Sequence, residues 1–187
     1  YGAANPALSG TVTGFVNGET LAGATTGTLA FTTTANSGSN VGSYAIDGSG
    51  LAANHGNYVF VQAAGNTGAL AITPAALTVI ATNATKTYDG QAYNGGAGVS
   101  YSGFVNGETS AVLSGTLSYG GNSQGAVNAG SYAIAPSGLS ATNYSISYAN
   151  GSLTVNPATP TYTASSASRT YGAANPVFSG TVTGFVN

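Results

Sequence analysis

The sequence predicts an all-β fold: tandem small β-sandwich or grasp-like domains following one another into an elongated rod or filament. Three observations predict it. Short β-branched and aromatic runs alternate with Gly, Asn, Ser and Pro punctuation throughout the 187 residues. The chain holds 12 Tyr, 6 Phe and 29 Gly but only 3% charged residues, against about 25% in an ordinary soluble domain. Residues 1–17 return almost letter for letter as residues 171–187, an internal period of 170.

The strand signals follow in order. Thr11-Val12-Thr13 leads into Gly14-Phe15-Val16-Asn17-Gly18-Glu19-Thr20, and Tyr58-Val59-Phe60-Val61 and Leu77-Thr78-Val79-Ile80 follow. Tyr144-Ser145-Ile146-Ser147-Tyr148 and Ser152-Leu153-Thr154-Val155 then alternate polar with apolar residues, as half-buried strands do. Asn150-Gly151 between these two has the composition of a type I′ hairpin turn, which needs positive φ at both central residues. Thr109-Ser110-Ala111-Val112-Leu113 is the one stretch that reads as a helical turn.

Three copies of one pattern open at Tyr1-Gly2, Tyr88-Asp89-Gly90 and Tyr171-Gly172, with the outer two much the closer pair. Gly14 to Thr20 recurs as Gly103 to Thr109, Ser43-Tyr44-Ala45-Ile46 as Ser131-Tyr132-Ala133-Ile134, and Asn57-Tyr58 as Asn143-Tyr144. Order is kept while spacing drifts, and the insertions fall in Gly/Asn/Ser stretches, where surface loops tolerate them. Pro-Ala pairs at Pro74 and Pro157 set the boundaries: a first repeat over 1–79, a second over 80–157, and a connector with the start of a third over 158–187. The adjacent repeats of the same chain are therefore the first expected partners.

The composition excludes most chemistry. Lys86 and Arg169 are the only cations, so no basic stripe exists to neutralise phosphates and no nucleic-acid partner is expected. No apolar run is long enough to span a membrane. Disordered chains are charged and poor in aromatics, which this chain is not. Gly48-Ser49-Gly50-Leu51-Ala52-Ala53 has the form of a dinucleotide-binding loop, but Asn54-His55-Gly56-Asn57 does not continue a helix. It is read as a turn between strands, and no cofactor is expected.

Of the carboxylates only Glu19 and Glu108 recur; Asp47 and Asp89 each occur in one repeat, so no paired acid and base are repeated. No catalytic residue is assigned. His55 is the sole histidine, and a metal site needs several ligands, so no metal residues are assigned either. Glu19 and Glu108 follow Asn-Gly turns and are expected to satisfy backbone N–H groups or to pair with Lys86 or Arg169, making these four the candidate inter-repeat contacts. Lys86 and Arg169 each lie two residues before a repeat-opening Tyr. Tyr44/Tyr132 and Tyr58/Tyr144 recur at matched places and are expected to pack. Tyr93, Tyr101, Tyr119 and Tyr162 lie outside the shared landmarks and are the candidate surface contacts.

The opening Tyr-Gly-Ala-Ala-Asn-Pro with Ser-Gly-Thr-Val-Thr-Gly-Phe resembles the YGX-type MBG (mostly bacterial glycine-rich) domain. Lys86-Thr87-Tyr88-Asp89-Gly90 with the closing Tyr144 to Pro157 stretch resembles the related YDG-type repeat. The resemblance implies a large, secreted, repetitive bacterial surface protein of the filamentous-haemagglutinin-like kind, and it carries no catalytic residues. The leading expectation is a structural segment of such a protein, an adhesin stalk or extracellular filament, with identical chains as further partners in a filament. The alternative is a set of multivalent adhesin repeats that bind cell-surface glycans through exposed Tyr.

Overall fold

The computed structural model describes residues 1–186. Strands dominate and one four-residue helix is present, so the protein is all-β. The chain divides into two compact units, each assembled from separated stretches. The first comprises Tyr1–Leu77, Gly103–Ser114 and Ser140–Ile146; the second comprises Thr78–Ser102, Gly115–Leu139 and the chain from Ser147 onward.

In the first unit, α1 (Leu21–Ala24) begins where the Thr20 side chain accepts a bond from the Gly23 N–H, which caps it. It leads into β1 (Thr25–Thr32), followed by β2 (Gly42–Tyr44), β3 (Asp47–Ala53) and β4 (Leu70–Ile72). β1 and β3 pair antiparallel from Thr25↔Ala53 to Thr32↔Asp47, with a bulge between Gly27 and Ala30, while β2 pairs with β4. The bulge is specified by glycine. A Cβ on Gly50, at φ 86°, would lie 2.1 Å from the Thr28 carbonyl oxygen. Ala24, Ala35, Leu70 and Tyr144 are buried here.

The remaining strands are β5 (Ala75–Ala81), β6 (Ala84–Thr87), β7 (Val99–Ser102), β8 (Ser114–Gly120), β9 (Gly130–Ser140), β10 (Tyr144–Ala149), β11 (Gly151–Asn156), β12 (Thr161–Ala164) and β13 (Gly180–Thr183). In the second unit the main sheet has the order β6-β11-β9-β8. β6 runs parallel to β11, with Leu153↔Ala84, and β9 runs antiparallel to it, with Gly151↔Ile134. Burial along β11 alternates with period two, placing Leu153 and Val155 inward. Those two, Ile134, Ala81 and Ala126 form the core, flanked by Tyr88, Tyr93, Tyr119 and Tyr132. Each fully buried Leu or Ile here contributes about 1.5–3 kcal/mol relative to exposure.

β5 lies between β10 and β7. It pairs with β7 from Thr78↔Ser102 to Ala81↔Val99, and β12 pairs with β13 from Thr161↔Thr183 to Ala164↔Gly180. These are the same register in successive repeats, since Ser102 and Thr183 each precede a Gly-Phe pair.

Several local expectations are corrected. Thr11–Thr13 and Tyr58–Val61 have strand sequences but join no ladder. Asn150-Gly151 makes no hairpin: β10 and β11 belong to different sheets, and neither residue has positive φ. Gly48 to Ala53 lies within β3 instead of forming a turn. The helical reading of Thr109–Leu113 narrows to a 3-10 turn over Ser110–Val112, and α1, at the matching place in the first repeat, is an addition to the sequence reading.

Candidate functional site

The Val-Asn-Gly-Glu-Thr segment builds the same small device in both repeats. Asn17 and Gly18 have φ of 54° and 73°, Asn106 and Gly107 have φ of 53° and 72°, and each following Glu N–H donates to the preceding Val carbonyl at 3.0 Å. Positive φ at both central residues closed by this bond is a type I′ turn, which Asn-Gly favours. The turn delivers Glu19 and Glu108. Thr20 and Thr109 come next, and their hydroxyls accept from Gly23 N at 3.3 Å and Ala111 N at 3.4 Å, capping the helical turn that follows.

Each glutamate receives a tyrosine. Tyr58 donates its hydroxyl to Glu19 and accepts the Val16 N–H at 3.2 Å; Tyr144 donates to Glu108 and accepts the Val105 N–H at 3.1 Å. The Phe of the same segment packs edge-on against that tyrosine, Phe15 on Tyr58 at 5.2 Å and Phe104 on Tyr144 at 5.5 Å between centroids. Phe, Val, Glu and the distant Tyr thus form one clamp, repeated.

The second clamp has a further member. Tyr1 donates its hydroxyl to Glu108 Oε1 at 2.6 Å and lies edge-on to Tyr144 at 5.7 Å. Gly2 lies so close to Val105 that a Cβ there would sit 2.4 Å from its Cγ2. The opening of the first sequence repeat is thereby joined to the Gly-Phe-Val-Asn-Gly-Glu segment of the second, all within the first compact unit.

The electrostatics follow from this geometry. Bonds from Tyr1 and then Tyr144 hold the Glu108 carboxyl below its ordinary value. Burial first, and the bond to Glu108 second, push the Tyr144 phenol up; the bond to Glu19 is the leading cause that raises Tyr58. A carboxylate holding two phenols and a phenol held above its usual range fasten chain segments together.

The cations act locally rather than on the recurrent glutamates. Lys86 pairs with Asp89 at 2.7 Å and donates to the Gln91 carbonyl at 2.7 Å, and it holds the Asp89 carboxyl down. Arg169 donates to the Ala173 carbonyl at 2.9 Å. Gln91 and Ala173 each follow the glycine of a repeat opening, so the two cations pin equivalent turns. Tyr93 and Tyr119 flank the core of the second unit, which removes them as freely exposed contacts, and Tyr101 in β7 is half-buried. Tyr162 in β12 is 86% exposed.

Sequence reasoning missed the tyrosine partners of Glu19 and Glu108, although the joint recurrence of Phe, Glu and Tyr carried the signal. It also missed a groove of about 720 Å³ in the first unit, lined by residues 9–15 and 58–63 together with Leu29, Phe31 and Leu51 of β1 and β3. Among the described residues, no three His, Cys, Asp or Glu side chains gather as a metal site would require, and no helix is long and apolar enough to cross a membrane.

Compared with known families, the chain matches the MBG domain (YGX type) over residues 1–67 and again over 77–154, so one family description covers both repeats, including the one that opens on Tyr88-Asp89-Gly90. Comparisons with curated proteins and with solved structures found no match.

Proposed function

The chain belongs to the MBG domain (YGX type) family, and on that footing we propose that it is a structural repeat segment of a large secreted bacterial surface protein, serving as adhesin stalk or extracellular filament. MBG domains are typical of repeat segments in extracellular bacterial proteins. The observation that carries the reading is the clamp itself: the recurrent pairs Glu19/Glu108 and Tyr58/Tyr144 bond to one another within each repeat and hold segments of the chain together. Function in such a segment is geometric and scales with the number of repeats. The test is immunogold labelling of intact cells with antibody raised against this chain. Regular labelling along surface appendages is expected; label confined to the cytoplasm overturns the reading.

A second reading, recognition of cell-surface glycans, is favoured by Tyr162, which is 86% exposed on β12. A glycan array probed with the chain tests it. Binding lost in Tyr162→Ala supports it, and an array without signal at millimolar sugar excludes it.

A further inference from the structure

We infer that the second repeat is built to bear tension: pulled by the chain on either side of it, it resists through a parallel ladder that is loaded in shear. The proposal rests on the stalk reading, because a stalk that joins a cell to what it holds carries load along its own chain.

The ladder is formed by the run that leads into the repeat and the run that leaves it. In the second unit Thr78 Oγ1 lies 3.1 Å from Ser147 Oγ, and Asn83 Oδ1 accepts the Ser152 N–H at 2.8 Å. Ala84 to Thr87 then pair with Leu153 to Asn156, and the Tyr88 N–H donates to the Asn156 carbonyl at 2.7 Å. From Thr78 to Thr87 the partners keep a separation of 69 residues. Partner numbers rise together, so β5 followed by β6 runs parallel to β10 followed by β11. The first unit shows the same order, with the Ala75 N–H donating to the Asn143 carbonyl at 3.0 Å.

The direction of the two runs decides how force meets them. The chain enters the ladder at Ala75 and leaves it at Asn156, which are opposite ends of two parallel runs. Tension therefore draws the runs past each other along their length, and the bonds share the load. An antiparallel pair joined by a hairpin has its free ends side by side, and its bonds open one at a time. The antiparallel partners here, β7 for β5 and β9 for β11, lie at neither the entry nor the exit of the chain.

Packing opposes the slide that shear would cause. Leu77, Val79 and Leu153 are fully buried and Val155 is 2% exposed. A slip of one residue would carry such side chains to the opposite face of the sheet. Where the chain passes from β10 to β11, a Cβ on Gly151 would lie 2.7 Å from the Ala81 carbonyl oxygen, so glycine keeps the two runs in contact. Lys86, bonded to Asp89 and to the Gln91 carbonyl, fastens the turn that ends β6.

The test is single-molecule force spectroscopy of the full chain. It contains no cysteine, so pairs of exposed residues changed to Cys set the points of attachment. Thr73→Cys with Thr159→Cys loads the ladder in shear, and Thr73→Cys with Thr142→Cys pulls the same ladder open from one end. At one loading rate the shear pair should yield at no less than about twice the force of the opening pair, releasing up to about 300 Å of chain. Amide protection of β6, β9 and β11 should match the parent in both variants. Where Thr142→Cys alters it, Gln91→Cys with Thr159→Cys opens the ladder from its other end and takes its place. A force ratio below about two overturns the proposal. A low ratio beside labelled surface appendages removes this proposal alone, and label confined to the cytoplasm removes the stalk reading whatever the ratio.

Discussion

Tyr144 is the side chain on which most of the first unit's polar contacts converge. It is buried, carries Phe104 and Tyr1 on its ring edges, and uses its hydroxyl both as acceptor from Val105 and as donor to Glu108. Tyr144→Phe removes both bonds at once and leaves Glu108 with one phenol. It should cost about 1–2 kcal/mol in denaturant unfolding, whereas Tyr58→Phe, whose partner Glu19 is exposed, should cost less. The pH dependence has two limbs. Glu108 and Asp89 are held below the ordinary carboxyl value, so their contribution is present above it and lost as pH falls through the lowered values. Tyr58 and Tyr144 are raised, so theirs is present below the ordinary phenol value and lost as pH rises through the raised ones. Thermal melts should be flat between the limbs, and Glu108→Gln should shrink the acid limb while Asp89 keeps part of it. At this scale the recurrent glutamates were legible in the sequence and their partners were not. Glu and Tyr are 39 residues apart in one repeat and 36 in the other, so loop insertions erase any fixed spacing.

Among the elements, those buried on a clear face were legible: β5 and β11 read as alternating strands and place Leu77, Val79, Leu153 and Val155 inward. Thr11–Thr13 and Tyr58–Val61 read equally well and form no ladder, because a strand exists only with a neighbour to pair with. Asn-Gly was a good turn signal at 17–18 and 106–107 and a misleading one at 150–151, where the chain passes from one sheet to another. The bulge of β1 and β3 depends on glycine at positive φ against a carbonyl 2.1 Å from its would-be Cβ. Gly50→Ala should therefore destabilise by about 1–3 kcal/mol, read from the same unfolding curves. Lys86 lies in paired strand β6 and is engaged by Asp89, whereas Arg169 lies in an exposed stretch outside any strand. Brief trypsin treatment should release a product ending at Arg169, with Lys86 uncut, as mass spectrometry would record.

For the whole molecule, composition and self-alignment gave the all-β class and the period, and the family match covers both repeats. The compact units were not legible, because neither is a contiguous stretch. The chain passes between their segments after Leu77, Ser102, Ser114, Leu139 and Ile146. With Lys86–Asp89 as the ion pair among the described residues, stability rests on packing and ladders, and the melting midpoint should move by no more than about 2 °C between low and molar salt. The central claim is that a sequence repeat does not fold by itself. Asn143 fastens both Val41 and Ala75, Asn106 donates to the Ser37 carbonyl, and Glu108 holds Tyr1, so later segments complete the first unit. Amide hydrogen exchange of the isolated 1–79 fragment beside the full chain tests this most directly. The account predicts that β2 and β4, protected in the full chain, exchange freely in the fragment. Full-chain protection retained through β1 to β4 of the fragment would contradict it and make the contiguous repeat the folding unit.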